Sequence, residues 1–464
     1  MGPTLISGKS SLYVSAYEVK SMLREGGIAI TVIGLGRIGL PTAVSFANAG
    51  AVVFGVDVNE NVVNSVNKGE NRFVDEPGLS DLLHEAVTKG KLRATLNPEP
   101  VIAKSDFLII SVPTPVLSSK TPDYSAIRSV SHLVGQYLRA GTTVIVESTV
   151  GPGTVEGLII PIIEGESGLK ADVEFGVASA PERSDPGNIM KNLRSVPRII
   201  GASNPRTRDV VASLYEAAFG VEVVKVSSPK TANAVKLTEN LFRDVNIALA
   251  NEFALLYEKL GIDYIEVIKA CSTKYNFMPH YPGPGVGGPC LPSNPYYLIE
   301  EALKVGDIPY LVRMAREIND RMPEHVVDLT MEALNEVAKT VKGSKVAVLG
   351  VAYKPNIKDI QLSPIDPICK KLTEMGAVLR VYDPMFAGES VFGYRVALSI
   401  DEAIRDADCI LVGTAHDEFK HIDLSRIKMM ASRDSCIVDA CHVFDPKMVI
   451  EQGFAYRGVG RAIT

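Results

Sequence analysis

The sequence predicts an α/β fold in which two doubly wound parallel sheets are joined by a long central helical connector. Three observations support this prediction. A buried-strand pattern ends in a glycine-rich turn at residues 28–39, helical periodicity takes over from Ser227, and the strand pattern of the first third returns from Lys345. A chain of 464 residues is also too long for a single hydrophobic core, so we expect two or three domains.

The first element is an apolar, β-branched strand, IAITVI at residues 28–33, followed by the turn GLGRIG, a helical segment and a second strand, AVVFGVD. Glycines in such a turn allow a tight bend, the approach of a pyrophosphate and close helix packing. An acidic residue ending the second strand suits the ribose hydroxyls of NAD and repels the phosphate of NADP. A merely tight turn is the alternative. We predict a Rossmann-like NAD-binding domain at residues 27–205, contacting NAD through Gly34, Gly36, Arg37, Ile38, Gly39 and Asp57.

Three further apolar strands end in small polar or acidic residues: DFLIISVPTP, TTVIVESTV and VEFGVASAPER. The carboxyl ends of parallel strands form the ligand-binding edge of such a sheet. Any one of these polar residues alone would be read as an ordinary turn residue. Together they predict that Thr114, Thr149 and Glu182 lie along the edge that binds NAD.

The central region, residues 206–325, changes to a helical period. Its apolar residues recur every three or four positions, at Leu237, Leu241, Val245, Leu249, Phe253, Leu256 and Leu260. On another stripe, Lys236 and Asn240 lie one turn apart, a pattern more typical of a solvated surface. A second helical stretch is predicted from about Pro309 to Thr340, with a break at Pro323.

The last third, residues 326–464, repeats the plan of the first. KVAVLG is again a strand ending in glycine, AVLRVYDP ends in an acidic residue, and DADCILVGTAH and SCIVDACHVF continue the pattern. The segment GVAYKPNIKD replaces the second glycine-rich turn, and Lys354 offers a charge for phosphate. We therefore predict a second Rossmann-like domain that holds a different nucleotide-bearing molecule. Residues 1–26 are expected to form an N-terminal extension.

Composition excludes several function classes. The net charge of −6 argues against a general nucleic-acid binder, and no apolar run is long enough for a membrane span. The first residues do not resemble a signal peptide, so we expect a cytoplasmic protein. The six cysteines form no CxxC pair and no cluster at zinc spacing, so no metal is expected. Cys369, Cys409 and Cys436 stand in apolar runs and are predicted to be buried.

Cys290 has different surroundings, because it stands in the segment PGPGVGGPCLPSNP, residues 282–295. The prolines exclude a helix, and the glycines allow another group to approach the backbone closely. From these features alone, a reactive thiol and an ordinary loop cysteine remain equally open.

Nine stretches of the chain carry a resemblance to a known family: GLGRIGLPTA, VDVNENVVNSVNKGE, VPTP, ESTVGPGT, APERSDPGNIM, KLTENLFRDVNIALANE, PGPGVGGPC, AREIND and AYKPNIKD. In this order, across about residues 28 to 440, they resemble the UDP-glucose/GDP-mannose dehydrogenase family, and within it the UDP-N-acetylhexosamine 6-dehydrogenases.

The resemblance implies an NAD-dependent, four-electron oxidation of the C6 alcohol of a UDP-sugar to a uronate, through a thiohemiacetal and a thioester on Cys290. By the same resemblance, Lys236 and Asn240 hold the C6 oxyanion, and Glu182 and Thr149 position water and handle protons. Long central helices would pair two chains into a homodimer. Substrate contacts are implied for Arg183, Ser184, Lys236, Asn240, Arg243, Gly287, Tyr353 and Lys354.

The expected sugar is N-acetylmannosamine, while UDP-glucose and the N-acetylgluco and N-acetylgalacto epimers stay open. The chain departs from the family pattern at Asn294, where the family has Asp, and at Gln361, where it has Arg. Lys274 and Asn276 stand where the mannosamine enzymes have His and Arg. Two other classes are possible: a single-step NAD-dependent dehydrogenase, and a non-catalytic sensor of NAD and UDP-sugar.

Overall fold

A computed structural model describes residues 14–462 and has the predicted α/β architecture, with two doubly wound sheets linked by long helices. The described chain forms two compact units. The first unit contains the residues up to Glu239 together with Tyr296–Asp307, and the second contains Asn240–Pro295 together with the residues from Ile308 onward. The three-domain boundaries expected from the sequence stay a prediction.

Within the described residues, the first unit is built on an eight-stranded sheet. Its strands are β1 (Ala29–Ile33), β2 (Val52–Val56), β3 (Leu92–Thr95), β4 (Phe107–Ile110), β5 (Thr143–Val146), β6 (Gly176–Ser179), β7 (Arg198–Gly201) and β8 (Val223–Val226). Their order is β3-β2-β1-β4-β5-β6-β7-β8, and all neighbours are parallel except β6 and β7. Strands β1, β4 and β5 are buried along their whole length because helices cover both faces of the sheet.

The helices of the first unit are α1 (Ala16–Glu25), α2 (Gly39–Asn48), α3 (Glu60–Asn67), α4 (Leu79–Thr88), α5 (Glu99–Ile102), α6 (Ser125–Tyr137), α7 (Ile160–Ser167), α8 (Ile189–Leu193) and α9 (Pro205–Phe219). A π-helical turn at Val155–Ile159 runs into α7.

Helix α1 gives the end of the expected N-terminal extension a structural role. Ser15 caps the helix through a capping box with Glu18. Val19 and Leu23 are buried in the core of the first unit, and the Lys20 ammonium lies 2.8 Å from the Glu216 carboxylate on α9. Helix α1 therefore packs against the core of the first unit through Val19 and Leu23, while residues 1–13 lie outside the described range.

The long helix α10 (Pro229–Lys259) follows, and after it come the shorter helices α11 (Tyr264–Cys271) and α12 (Asn294–Lys304). The remaining helices are α13 (Tyr310–Glu336), α14 (Ile365–Glu374), α15 (Ile400–Ile404), α16 (Asp417–Lys420), α17 (Leu424–Met430) and α18 (Pro446–Glu451).

The strands of the second unit are β9 (Lys345–Leu349), β10 (Val378–Tyr382), β11 (Ser390–Val391), β12 (Tyr394–Arg395), β13 (Cys409–Val412), β14 (Cys436–Asp439) and β15 (Ala455–Gly458). Among the described residues they form a five-stranded parallel sheet in the order β10-β9-β13-β14-β15, with β11 and β12 as a separate antiparallel hairpin. Cys369, Cys409 and Cys436 are buried, as the sequence predicts.

The predicted break at Pro323 is wrong, because α13 runs through this residue without interruption. A helical proline lacks the N–H that would bond to the carbonyl four residues earlier, here that of Asn319. Gly285 packs at this position: a Cβ on Gly285 would lie 3.3 Å from both the Asn319 carbonyl oxygen and Pro323 Cδ. The glycine-rich loop therefore packs against α13 at the point where the proline leaves out one backbone hydrogen bond.

Helix α10 has the predicted amphipathic pattern only in part. Leu237 and Leu241 are buried and Val245 and Phe253 are half-buried, but Leu249, Leu256 and Leu260 are exposed in the single chain. They form a surface that we call the α10 stripe, which consists of Phe242, Leu249, Leu256 and Leu260, at 45–60% exposure.

In the part of the chain that the structure describes, no helix combines the length and the apolar character that crossing a membrane requires. The cytoplasmic location expected from the sequence stays a prediction.

Candidate active site

The glycine turn between β1 and α2 contains two glycines that the fold requires and one that it does not. A Cβ on Gly39 would lie 1.9 Å from the Gly34 carbonyl oxygen, and one on Gly34, at φ +95°, would lie 2.3 Å from the Ser111 carbonyl oxygen. Around Gly36, which is exposed, a Cβ would meet nothing within 4 Å. Gly36 thus leaves open the approach that a pyrophosphate needs.

The start of α2 is suited to an anion. Ile38 is its N-cap residue, and among the described residues no side chain caps the helix there. The Leu40 amide donates to the Gly36 carbonyl oxygen at 3.1 Å and Pro41 carries no N–H, so the attraction for an anion comes mainly from the helix dipole. Asp57, at the end of β2, accepts a 2.9 Å hydrogen bond from the Leu35 amide and remains half-buried. Arg37 is held beside the turn, 2.9 Å from the Asp75 carboxylate and over the Phe73 ring. The residues present therefore fit a dinucleotide.

The carboxyl ends of β4 and β5 bring two of the predicted edge residues together. The Thr114 hydroxyl donates to the Thr149 carbonyl oxygen at 2.8 Å, and the Thr114 carbonyl accepts from the Tyr297 hydroxyl. Both threonines are half-buried. The structure thus joins the two loops, and the contact of each side chain with NAD stays a prediction.

Glu182 follows β6 and is buried, with both carboxylate oxygens engaged. Oε1 accepts from the Arg183 and Ser184 amides at 2.7 Å each and from the Ser184 hydroxyl at 2.5 Å, while Oε2 pairs with the Arg198 guanidinium. Burial raises the pKa of Glu182, but Arg198, Ser184 and Lys236 outweigh it, so the pKa lies below its ordinary value. Glu182 is therefore a fixed carboxylate rather than a carboxylic acid at neutral pH.

Helix α10 holds several of the predicted residues in a fixed spacing. Lys236 is buried, Asn240 is half-buried one turn later, and Arg243, exposed, lies on the same face. Between them, the Glu239 carboxylate pairs with both ends of the Arg183 guanidinium, which also donates to the Pro197 carbonyl at 2.6 Å. Arg183 is thus held by protein groups.

Cys290 lies in a turn that leads into α12. Its carbonyl oxygen accepts from the Ser293 and Asn294 amides at 3.2 and 2.8 Å, and α12 begins at Asn294. Within the described chain, no helix or strand lies between α11 and α12, as the sequence predicts. The half-buried thiol therefore lies in the turn that precedes the N-terminus of α12.

The side chain of Asn294 contacts a second predicted site residue. It is 4% exposed, and its carbonyl oxygen accepts from the Asn240 amide at 2.5 Å. The residue four positions after the cysteine therefore fixes the orientation of Asn240, a structural role that either Asn or Asp can fill as an acceptor.

The glycines before Cys290 serve close packing inside the second unit. A Cβ on Gly287 would lie 2.7 Å from Tyr353 Cβ, and one on Gly288, at φ +90°, would lie 2.7 Å from the Tyr353 ring. The Gly288 amide donates to the Gln361 carbonyl at 2.9 Å. The sequence predicts that these glycines let another group approach the backbone closely, and in the structure Tyr353 is such a group.

A buried polar chain that the sequence analysis missed anchors the start of this loop. The Gly283 amide donates to Asn251 at 3.0 Å, and Asn251 donates to Asn319 at 2.9 Å. Asn319 in turn donates to the Asp244 carboxylate at 3.0 Å, which Arg316 pairs at 2.6 Å. The signal was present, since these residues lie in KLTENLFRDVNIALANE and AREIND, but the apolar period does not reveal it.

The aspartate that follows β10 in the second unit, Asp383, has different surroundings from Asp57, which follows β2 in the first unit. Asp383 is fully buried and accepts from the Val351 and Ala352 amides at 2.8 and 3.0 Å and from His416 at 3.1 Å. Burial raises its pKa, but His416 and the amides outweigh this effect and lower it. Asp383 cannot reach a ribose. Half-buried Lys354, which follows Tyr353, stays predicted as a substrate contact.

Three family models match consecutive parts of the chain. The UDP-glucose/GDP-mannose dehydrogenase family NAD binding domain matches residues 28–219, the central domain of that family residues 230–321, and its UDP binding domain residues 347–446. The chain belongs to the UDP-glucose/GDP-mannose dehydrogenase family. It is an NAD-dependent UDP-sugar 6-dehydrogenase, as the sequence motifs predict.

Relatives with different sugar names match this dehydrogenase over most of its length. UDP-N-acetyl-D-mannosamine dehydrogenase of Pyrococcus horikoshii is 38% identical over 93% of this chain and 99% of its own. UDP-N-acetyl-D-glucosamine 6-dehydrogenase of Pseudomonas aeruginosa is 33% identical over 90% and 97%.

Solved structures agree with this assignment. The UDP-D-ManNAc dehydrogenase structure from Pyrococcus horikoshii has a TM-score of 0.87 and 37% identity, covering 94% of this chain and 100% of that one. The UDP-glucose dehydrogenase structure from Pyrobaculum islandicum has a TM-score of 0.82 and 28% identity, covering 94% and 98%. The reaction class is common to these relatives and the sugar is not.

The glycine turn gives a matched pair of variants. Gly36→Ala should leave the thermal midpoint unchanged within about 1 °C but weaken NAD at least about tenfold, since the new methyl group meets only the bound pyrophosphate. Gly39→Ala should destabilise the fold by about 2–4 kcal/mol, because its methyl group meets a backbone carbonyl that cannot move aside. Calorimetry and NAD titration measure both. Unchanged NAD affinity in Gly36→Ala would contradict the cofactor site.

Proposed function

We propose that this enzyme oxidises the C6 alcohol of UDP-N-acetylmannosamine to the uronate, with two hydride transfers per sugar and Cys290 as the nucleophile. The observation that carries the mechanism is the position of Cys290, in the turn before α12, with Asn294 bonded to Asn240. Similarity to several mannosamine dehydrogenases supports the choice of sugar.

NAD, when bound, accepts the hydride in each oxidation step. After the first, the Cys290 Sγ adds to the C6 aldehyde and forms a thiohemiacetal, which the second oxidation converts to a thioester. Water then attacks the thioester, and the thiolate leaves as the carboxylate forms. The thiolate form of Cys290 is the nucleophile in the attack and the leaving group in the departure.

Lys236 and Asn240 are proposed to stabilise the charge that develops on the C6 oxygen. Lys236 is 8% exposed, and a cation removed from water interacts more strongly with an oxyanion than a solvated one does. Asn240 is held by Asn294 and so can present its amide without reorganisation. Arg243, Arg183, Ser184, Tyr353, Lys354 and the backbone at Gly287 remain proposed substrate contacts.

Glu182 is proposed to orient the hydrolytic water together with Thr149. Its lowered pKa and its paired oxygens favour a hydrogen-bond acceptor over a group that exchanges a proton as an acid. This refines the expectation that Glu182 handles protons: it attracts the proton of the attacking water through charge.

The α10 stripe supports the proposal of a homodimer. Phe242, Leu249, Leu256 and Leu260 recur along one long helix and expose apolar surface, which soluble proteins usually cover with a partner. The occupant that fits is the same stripe of a second copy, because two such helices can pair about a two-fold axis. The α10 stripe consists of apolar residues, so it has no charge that would attract an acidic or a basic partner.

The dimer can be tested by placing charge on the stripe. Leu249→Lys with Leu256→Lys should convert a dimer to a monomer in sedimentation, because a charge buried at an interface costs several kcal/mol. Val58→Lys, at a residue 99% exposed on the first unit, is the matched control and should leave the dimer intact. A wild-type monomer, or a double variant that sediments as a dimer, would show the assignment to be wrong.

The function itself is tested by counting NADH. UDP-ManNAc should give two NADH per sugar with the highest kcat/KM among UDP-ManNAc, UDP-GlcNAc, UDP-GalNAc and UDP-glucose. Cys290→Ser should bind sugar and NAD but lose about 10³-fold in turnover, or roughly 4 kcal/mol, because serine is a weaker acid and a poorer leaving group. Cys271→Ser, at a half-buried cysteine at the end of α11, is the control and should keep full activity.

The outcomes separate the alternatives. A higher kcat/KM with another UDP-sugar would correct the sugar and keep the reaction. One NADH per sugar would indicate a single-step dehydrogenase, and binding without turnover would indicate a sensor. If Cys290→Ser forms two NADH per sugar at the wild-type rate, the covalent mechanism is wrong.

Asn294→Asp tests the departure from the family pattern. The aspartate can still accept from Asn240, and its charge adds an acceptor for water near the thioester. The first hydride transfer should stay within about twofold, while thioester hydrolysis should accelerate about tenfold, a modest part of the range known for general bases. Rapid-quench mass spectrometry measures the thioester, and Asn294→Ala controls for loss of the Asn240 contact. Equal hydrolysis rates in wild type and Asn294→Asp would remove this position from the chemistry.

A further inference from the structure

Behind Glu182 lies a buried ionic cluster, which consists of Glu182, Arg198, Glu147, Tyr215 and Thr42 within the first unit. We propose that Arg198 and Glu147 are positioning residues for this UDP-sugar dehydrogenase, which fix Glu182 and adjust its charge as Glu147 gains and loses a proton. The proposal rests on the proposed function for the role of Glu182 in thioester hydrolysis.

Arg198 is shared between two carboxylates. It begins β7, is 2% exposed, and pairs through one nitrogen with Glu182 Oε2 and through the other with Glu147 Oε1 at 3.4 Å. The rings of Tyr215 and Phe219 lie over the guanidinium, 5.4 and 5.5 Å from their centroids. One cation thus faces two anions away from water, and the cluster carries a negative charge whenever both carboxylates are ionised.

Glu147 connects this arginine to the helix of the cofactor turn. It follows β5 and is 2% exposed. Its Oε1 accepts from the Tyr215 hydroxyl at 2.8 Å, and its Oε2 accepts from the Thr42 hydroxyl on α2 at 3.1 Å. The contacts therefore run without interruption from α2, through Glu147 and Arg198, to Glu182.

The proton on Glu147 is the variable element of the cluster. Burial raises its pKa to about 7, with the negative charge of Glu182 acting in the same direction and Arg198, Tyr215 and Thr42 opposing. Burial also raises the pKa of Tyr215 well above its usual value, so the phenol stays a donor. Lys236 is a second cation that acts on Glu182, and it lowers the pKa of that carboxylate. Glu147 therefore changes between its protonated and ionised forms near neutral pH.

The protonation state of Glu147 should change the strength of Glu182 as an acceptor. When Glu147 is neutral, Arg198 pairs with Glu182 alone and withdraws its charge. When Glu147 is ionised, it competes for Arg198 and adds a negative field, so Glu182 holds the proton of the attacking water more strongly. Thioester hydrolysis should therefore accelerate as pH rises through the Glu147 pKa of about 7.

The test compares two buried carboxylates of the same sheet. Glu147→Gln keeps the size but not the charge; its kcat should lose the inflection near pH 7 and stay at the low-pH level, with KM unchanged within about twofold. Asp106→Asn is the control. Asp106 precedes β4, is also 2% exposed and pairs with Arg139 at 2.8 Å, and burial raises its pKa to about 6. This variant should keep the wild-type inflection.

A second readout does not need turnover. Infrared difference spectra should contain a protonated-carboxyl band that titrates near pH 7 in wild type and Asp106→Asn and is absent in Glu147→Gln. A separate band, from Asp106 with its pKa of about 6, should remain in Glu147→Gln and disappear in Asp106→Asn. If no UDP-sugar is oxidised, the proposed function fails, while the band that titrates near pH 7 still decides whether Glu147 holds the proton. Absence of that band in wild type overturns the inference, and so does an inflection in kcat that survives in Glu147→Gln.

If Glu147→Gln does not fold, Thr42→Val answers the same question. It removes one hydrogen bond to the ionised Glu147 carboxylate and leaves the carboxyl group in place. The charged form loses a donor, so the pKa rises and the inflection should move to higher pH. An inflection that stays where it is in wild type overturns the inference.

Discussion

Helix α10 is the constraint on which the candidate site depends. A helix rises about 1.5 Å per residue and does not stretch, so groups on its surface keep fixed distances. Glu239 holds Arg183, Asn240 holds Asn294, and Asn251 holds the amide of Gly283. Lys236 lies on the same helix one turn before Asn240, so in the proposed mechanism the backbone that carries both groups is already helical before substrate binds.

The two sheets have the same order of strand and turn, but the aspartate that follows the second strand is half-buried in one and fully buried in the other. Both aspartates accept from backbone amides, but Asp57 is half-buried and keeps an exposed edge for a ribose, whereas Asp383 is fully buried and also accepts from His416. The difference follows from the turn. Gly36 leaves its turn open in the first unit, while GVAYKPNIKD brings Tyr353 against the glycines of the Cys290 loop in the second. Equivalent folds therefore present different binding edges.

Sequence patterns predicted the elements that depend on local burial. Strands β1, β2, β4, β5, β6, β9, β10, β13 and β14 and helix α10 lie where apolar runs and periods indicate. The buried polar contacts were not predictable, because their partners are far apart in the sequence. Glu182 and Glu147 lie 16 and 51 positions from Arg198. Asn319 lies 68 positions from Asn251, and the other partner of Asn251 is a backbone amide in the loop before Cys290. The predicted break at Pro323 was wrong for a related reason. Gly285, which is distant in sequence, packs where the proline leaves out a backbone hydrogen bond of the helix.

The position of Asn294 explains how a departure from a family pattern can keep the architecture of the site. An acceptor is needed there to hold the Asn240 amide, and asparagine supplies one as well as aspartate does. What asparagine cannot supply is charge for activating water. In the proposed mechanism that requirement falls on Glu182, whose pKa is already lowered and whose partner Arg198 is shared with Glu147. If that mechanism holds, a neutral residue after the cysteine gives the buried cluster behind Glu182 a larger share of control over hydrolysis.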